Sequence, residues 1–300
     1  RRSICHGETM TVRAIQAKQM VASHARPDPW FGLRYNFNIY RGCQHGCIYC
    51  DSRSLCYGIE DFDEILFKAN ALERLADELP RKRVKGIVGT GSMSDPYGPV
   101  EADLKLTRGA LEIIAQLGFP LHLITKSDLV TRDIDLLSQI ARTACYVSLT
   151  ITTTDDALAA IVEPRAPSPS RRLEAIRKLS AAGVKAGVTL MPVLPYLEDS
   201  DENVTAVITQ AAEAGAAYVI PAFSVTMRDR QRDYFYAALD AHFPGLSDRY
   251  RRRYGERYEC ASERAPRLRA LYDTLVSRYG FATRVSPWGP PAPARQPTLF

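Results

Sequence analysis

The alternation of two hydrophobic periods along this chain constrains its fold more than any other feature. Apolar residues at every second position, or in short unbroken runs, mark strands, and apolar residues three and four apart mark helices. From Tyr35 onward the two patterns take turns. Strands are read at Tyr35–Tyr40, Lys85–Gly91, Leu121–Ser127, Tyr146–Thr153, Lys185–Leu194 and Ala217–Val225. Helices are read between them at Asp61–Leu79, Leu104–Leu117, Ile134–Ala141, Ser170–Ala182 and Glu202–Ala214, with Pro80, Gly118 and Gly183 placed as stops. Repeated strand–helix–strand crossovers lay their strands parallel in one sheet. No Gly-x-Gly-x-x-Gly fingerprint is present, so the expected fold is α/β, a partial (β/α)6 barrel of TIM type with an α-rich C-terminal extension. Such barrels do their chemistry on the loops that follow the strands.

The organisation follows from the same pattern. Residues 1–34 read as a leader packed on the core, 35–225 as the barrel, 226–286 as an arginine- and tyrosine-rich helical extension, and 287–300 as a proline-rich linker with a terminal peptide. A hydrophobic fraction of 46% and a charged fraction of 24% are those of an ordinary globular chain. No apolar run reaches the roughly 18 residues that a membrane span needs. The basic start lacks the apolar core of a secretory signal. Seven cysteines in 300 residues need no disulfide framework, and three of them are tightly spaced, so a reducing, cytoplasmic setting is expected.

Those three are Cys43, Cys47 and Cys50, in the string Cys43-Gln-His-Gly-Cys-Ile-Tyr-Cys50 directly after the first strand. Three thiolates at this spacing can hold three irons of an iron–sulfur cube and leave the fourth iron without a protein ligand. Structural zinc is the competing reading, and it would have to find a fourth ligand in His6, His45 or Cys56. On the fourth strand Tyr146, Ser148, Thr150 and Thr152 alternate with Val147, Leu149 and Ile151. If the apolar set packs on helices, the hydroxyls point into the barrel.

The string Arg41–Cys50 resembles the radical S-adenosylmethionine (SAM) superfamily, and within it the branch that includes spore photoproduct lyase. The resemblance continues through Gly89-Thr-Gly-Ser-Met-Ser-Asp-Pro-Tyr-Gly-Pro-Val-Glu101, Ile124-Thr-Lys-Ser127, Arg132–Leu137, Ser148–Thr153 and Glu163-Pro-Arg-Ala-Pro167, spanning residues 35 to 225. It implies a [4Fe–4S] cluster on Cys43, Cys47 and Cys50 whose open iron chelates S-adenosyl-L-methionine. An external electron donor then drives cleavage to a 5′-deoxyadenosyl radical that abstracts hydrogen. The resemblance places Tyr49 beside the adenine. It makes Ser94, Asp95, Lys126 and Ser148 the holders of the methionine and ribose ends, with Gly89 and Gly91 letting backbone approach the ligand. The lyase has a hydrogen-donating cysteine just before its Ser-Asp pair, whereas this chain has Met93 there. Cys56 is the candidate to replace it.

The arginines from 228 to 284, interleaved with Tyr234, Tyr236, Tyr250, Tyr254 and Tyr258, fit phosphates and stacked bases. Nucleic acid, as in DNA repair, is therefore the expected substrate. A radical enzyme acting on a small molecule, a peptide or RNA is the first alternative, and a non-catalytic metal-stabilised binding module the second. Glu163-Pro164-Arg165 reads equally as a contact or as an ordinary turn with an ion pair. The terminal Gln296-Pro-Thr-Leu-Phe300 looks like a peptide that docks on a sliding clamp.

Overall fold

The computed structural model describes residues 11–62 and 64–289. The clamp-like Gln296–Phe300, along with Cys5 and His6, lies outside the described residues. The barrel is a seven-stranded sheet built from β2 (Ala22–Ser23), β3 (Leu33–Asn36), β6 (Ile87–Thr90), β7 (Leu121–Thr125), β8 (Cys145–Thr150), β9 (Lys185–Leu190) and β10 (Val219–Pro221), in the order β10-β9-β8-β7-β6-β3-β2. The six strands from β3 to β10 run parallel, and β2 adds an antiparallel edge.

Two sequence expectations are corrected here. The first strand is broken: β3 ends at Asn36 and the short β4 (Tyr40–Arg41) belongs to a different, three-stranded sheet with β1 (Val12–Ile15) and β5 (Ile65–Lys68). The helix read from Asp61 holds the strand β5 at Ile65–Lys68, and helix begins only with α1 (Ala71–Glu78). Ile65 and Leu66 satisfy helical spacing, but Ile-Leu-Phe is also a short buried strand, and pairing with β1 and β4 decides the matter.

The remaining helices form where periodicity and caps coincide. They are α2 (Glu101–Leu104), α3 (Leu106–Leu117), α4 (Ile134–Ala141), α5 (Asp156–Val162), α6 (Pro169–Ala181) and α7 (Asp201–Glu213). Ser168 caps α6 ahead of Pro169, and Ser200 caps α7 through the Asn203 amide at 3.0 Å. Gly118 ends α3 in the left-handed conformation. The α5 helix, inside what the sequence offered only as a proline-rich loop, starts on Asp155, whose carboxylate accepts from the Ala157 and Leu158 amides.

The main core lies between sheet and helices, where Val147, Leu149 and Ile151 of the fourth barrel strand and its end meet Leu111, Ile114, Leu137, Ile176 and Leu179. Each such fully buried side chain contributes about 1.5–3 kcal/mol. The barrel interior is a smaller cluster of Leu33, Ile87, Tyr218 and Ile220. Ser148 lies there too, hydrogen-bonded to His122 Nε2 and Tyr218 Oη, each at 2.8 Å.

Beyond β10 the chain forms β11 (Ser224–Thr226), α8 (Asp229–His242), α9 (Leu246–Tyr254), β12 (Glu259–Ala261) and α10 (Ala265–Tyr279). The β11–β12 ribbon, α8 and α9 enclose a second core of Val225, Phe235, Leu239, Tyr250 and Tyr254 that is continuous with Cys47, Ile48 and Tyr49 of the cysteine loop. No helix among the described residues is long and apolar enough to cross a membrane.

Candidate active site

The cysteine loop leaves β4 at Gly42, in the left-handed region, where a Cβ would meet the Glu64 carbonyl at 2.5 Å. The barrel's own loops then hold it. Ile48 N donates to Val162 O at 3.0 Å, Arg165 N to His45 O at 3.0 Å, and Arg165 Nε to Gln44 O at 2.8 Å. Ser94 Oγ donates to Tyr40 O at 2.7 Å and Val100 N to Gln44 Oε1 at 2.8 Å. The Glu163-Pro164-Arg165 segment is thus the cradle of the loop, with Arg165 gripping its backbone and Glu163 turned inward.

A cavity of about 130 Å³ opens at this end of the barrel, lined by all three loop cysteines together with His45, Tyr49, Gly91, Met93, Ser94, Asp95, Thr125, Lys126 and Thr150. A larger groove of about 670 Å³ lies against α6 and α7 on the outer helical layer, lined by residues such as Leu173, Asp201 and Glu213 and by none of these groups. Among the described residues no three His, Cys, Asp or Glu side chains converge on a single ion position.

Burial pushes the Cys43 thiol up to about 12 and raises Cys47 and Cys50 as well. The Lys126 cation works against that rise at Cys47 and Cys50, and a bound metal's positive charge would favour the thiolates further. Tyr49 is buried and its phenol donates to Glu163. Glu163 also pairs with Arg172 Nη2 at 2.5 Å. Burial would raise the Glu163 carboxyl, but Arg172, Lys126 and the Tyr49 hydroxyl together hold it below its ordinary value. The Lys126 ammonium comes no nearer to Glu163 than 3.9 Å, beyond hydrogen-bond length, and sits 5.5 Å from the Tyr49 ring centre. Its donors are available to an incoming anion. His45 Nε2 lies 3.0 Å from Asp95 Oδ2 without the alignment of a hydrogen bond, and its buried Nδ1 has no hydrogen-bond partner either. A polar ligand in the cavity is what such an atom lacks.

Several expected contacts change under this geometry. Asp95 is no free acceptor: its oxygens already take Tyr97 N at 2.9 Å, Thr125 Oγ1 at 2.6 Å and Lys126 N at 2.7 Å, besides His45. Burial alone would raise this carboxyl, yet His45 and the hydrogen bonds bring it down to about 2. Asp95 is a clamp that fixes the strand-end loops. Gly89 does not face the cavity, because a side chain there would meet Leu33 Cδ1 at 2.5 Å. Gly91 does line it, with φ +102 and its Cβ position only 2.0 Å from the Ile124 carbonyl. Ser148 is absorbed by His122 and Tyr218, and Thr150, two residues nearer the strand's end on the same face, lines the cavity instead. Cys56 is exposed, accepts from Ser54 Oγ at 3.3 Å, and lies outside the cavity lining.

Arg172 and Glu198 were not among the expected site residues, and His45 was named only as a fourth ligand in the competing zinc reading. Arg172 Nη1 donates to Thr150 O at 2.8 Å. Glu198 accepts from Thr152 Oγ1 at 2.7 Å and Leu194 N at 2.9 Å, and burial raises its carboxyl to about 8.

The parallel barrel places the cysteine loop and the cavity together at one end, and the model of the radical SAM superfamily matches residues 37–207. The chain belongs to the radical SAM superfamily, whose members use a [4Fe–4S] cluster and S-adenosylmethionine. An uncharacterised protein of Mycobacterium tuberculosis is 33% identical over 280 residues, covering 89% of this chain and 82% of that one. A radical SAM Nalpha-GlyT isomerase of Pseudomonas phage M6 is 24% identical over 200 residues, covering 66% and 41%. Spore photoproduct lyase complexed with dinucleoside spore photoproduct superposes with a TM-score of 0.69 at 17% identity, covering 92% and 81%.

Proposed function

We propose that this radical SAM enzyme holds its cluster on Cys43, Cys47 and Cys50 and acts on nucleic acid. When bound, the cluster and S-adenosylmethionine supply a 5′-deoxyadenosyl radical capable of abstracting hydrogen from an unreactive carbon. The chain's part is to bind, orient and exclude water. Lys126 offers a cation to the cofactor's carboxylate, the His45 ring offers a hydrogen-bonding nitrogen, and Tyr49 lends its ring. Asp95 and Arg165 fix the loops that carry these groups. The observation that carries the cofactor reading is the cavity shared by the three cysteines, Lys126 and His45.

The nucleic-acid reading is supported by α9. Tyr250 and Tyr254 are buried one turn apart, which leaves Arg249, Arg251, Arg252 and Arg253 exposed on the opposite side. Arg249 lies 3.7 Å over the Tyr196 ring, on the loop after β9, and Arg251 lies 4.4 Å over Tyr236. By contrast, Arg228, Arg230 and Arg232 at the start of the extension are spent on bonds within the protein. The fold likeness to an enzyme captured with a dinucleoside photoproduct points the same way. Met93 lines the cavity and Cys56 does not, so the reaction we favour is a related one in which the substrate radical takes no hydrogen from a cysteine at either position.

Oligonucleotide binding tests this. Replacing Arg249, Arg251 and Arg252 with Gln should weaken binding and lower the salt slope by about 0.7–0.9 for each phosphate no longer neutralised. Wild-type protein without salt-dependent affinity for single- or double-stranded oligonucleotides would instead favour a small-molecule or peptide substrate.

A further inference from the structure

The first four residues of the α8 turn, Arg228 to Gln231, all reach back to the segment that contains and follows Cys50. Arg228 Nε and Nη2 pair with Asp51 at 3.1 and 2.5 Å. Asp229 accepts from Ser54 Oγ at 2.7 Å and Leu55 N at 3.2 Å. Arg230 donates to the carbonyls of Arg53 at 2.6 Å, Glu60 at 2.7 Å and Ile59. Gln231, with no exposed surface, donates from Nε2 to the Tyr49 carbonyl at 3.1 Å and accepts from Arg228 N at 3.1 Å. Asp229 takes a positive φ of +35, a conformation that persists in a non-glycine residue only where its surroundings enforce it.

The other ion pairs of the extension are of a different kind. Arg253–Glu263 and Arg267–Asp201 are exposed pairs, of the sort that fix little. The second core packs apolar side chains of the extension on Cys47, Ile48 and Tyr49, and the 228–231 turn adds the polar contacts, with Gln231 holding the peptide that joins Tyr49 to Cys50.

We infer that the start of α8 positions the last cysteine of the loop, with Gln231 as the positioning residue acting through the Tyr49 carbonyl. This rests on the reading of Cys50 as a cluster ligand. A hydrogen bond to that carbonyl fixes the orientation of the peptide from which Cys50 departs, and partners one layer out from a ligand set its direction and tune the metal. The extension is then part of the cofactor site as well as a surface beside it.

The test uses the reconstituted full chain in four forms: wild type, Gln231→Met, Gln231→Glu and Tyr272→Phe. Gln231→Glu keeps the acceptor for Arg228 N and loses the amide donor to Tyr49. Tyr272→Phe deletes the 2.7 Å bond to the Val219 carbonyl, in the main core away from the cysteine loop, and serves as the stability control. Both Gln231 variants should bind S-adenosylmethionine about tenfold more weakly, the cost usual for an outer-layer partner. They should also shift the electron paramagnetic resonance spectrum and midpoint potential of the reduced cluster, and Tyr272→Phe should leave all three at wild-type values. Wild-type spectra and affinity in both Gln231 variants would overturn the inference, as would an equal shift in Tyr272→Phe. A wild-type chain that takes up no iron would overturn the ligand reading beneath it, an outcome that iron analysis separates from the others.

Discussion

Two buried ionic networks stand side by side in this barrel, built from the same residue types and put to different uses. In the first, Glu101 receives the Tyr40 hydroxyl, Thr107 N at 2.9 Å and Arg132 Nη2 at 2.8 Å. Asp133 beside it receives Tyr97 Oη and Arg108 Nη1, each at 2.9 Å, and Arg132 at 2.7 Å. None of these groups lines the cavity. In the second, Glu163 binds Tyr49 and Arg172, but Lys126 stays 3.9 Å away and His45 Nδ1 has no hydrogen-bond partner. The closed network secures a helix and a loop; the open one keeps donors for something that is not protein. Buried charge alone therefore does not mark a site. Incomplete pairing at a cavity does.

The comparison breaks most visibly at Glu101. Glu101→Ala leaves the Tyr40 hydroxyl and Thr107 N without their acceptor and Arg132 with Asp133 alone, and removal of one partner from a buried pair costs about 3–5 kcal/mol. We expect a large fall in Tm, measured calorimetrically, with unchanged S-adenosylmethionine affinity in the protein that remains folded. Lost affinity with little change in Tm would erase the distinction between the networks. The reverse is expected of Lys126→Met, where loss of a charged hydrogen bond to the cofactor is worth about 1.5–3 kcal/mol, or roughly 10–100-fold in Kd. Equilibrium dialysis reads that loss, while Tm should move less than in Glu101→Ala, because Glu163 keeps Arg172 and the Tyr49 hydroxyl when Lys126 is gone.

A pH-dependent effect sharpens the open network from its far side. Burial keeps the Glu198 carboxyl protonated in the folded chain up to about 8, whereas in the unfolded chain it ionises near pH ~4.3. Between those values the folded state holds the extra proton. The stabilisation is fully present below the lower value and is lost as pH rises toward the upper one. Thermal unfolding of wild type should thus lose stability between about pH 5 and pH 8 relative to Glu198→Gln, whose curve should be flatter. Parallel curves would mean that Glu198 ionises alike in both states.

The sequence disclosed the barrel because strand and helix periods alternate cleanly and because Ser168, Ser200 and Gly118 punctuate the helices. It misassigned residues 61–68 because a short apolar run satisfies either period, and only pairing with β1 and β4 decides. The cysteines and Lys126 were legible through motif strings. Ser148 misled because alternation gives the face of a strand and not the height along it, and two residues separate a filled barrel interior from the cavity wall. Asp95 misled because a motif shows a carboxylate without its intramolecular donors. Arg172 left one faint signal: it falls on the buried stripe of α6 with Leu173, Ile176 and Leu179, where an arginine needs a buried partner. That partner, Glu163, belongs to the motif cradling the cysteine loop.

The central claim is that Cys43, Cys47 and Cys50 hold a cluster at which S-adenosylmethionine is cleaved. Anaerobically reconstituted protein, given dithionite and S-adenosylmethionine, should show a broad visible iron–sulfur absorption and release 5′-deoxyadenosine, and Cys47→Ala should do neither. A Cys47→Ala protein that still released 5′-deoxyadenosine, or a wild type that bound zinc and no iron, would contradict the account.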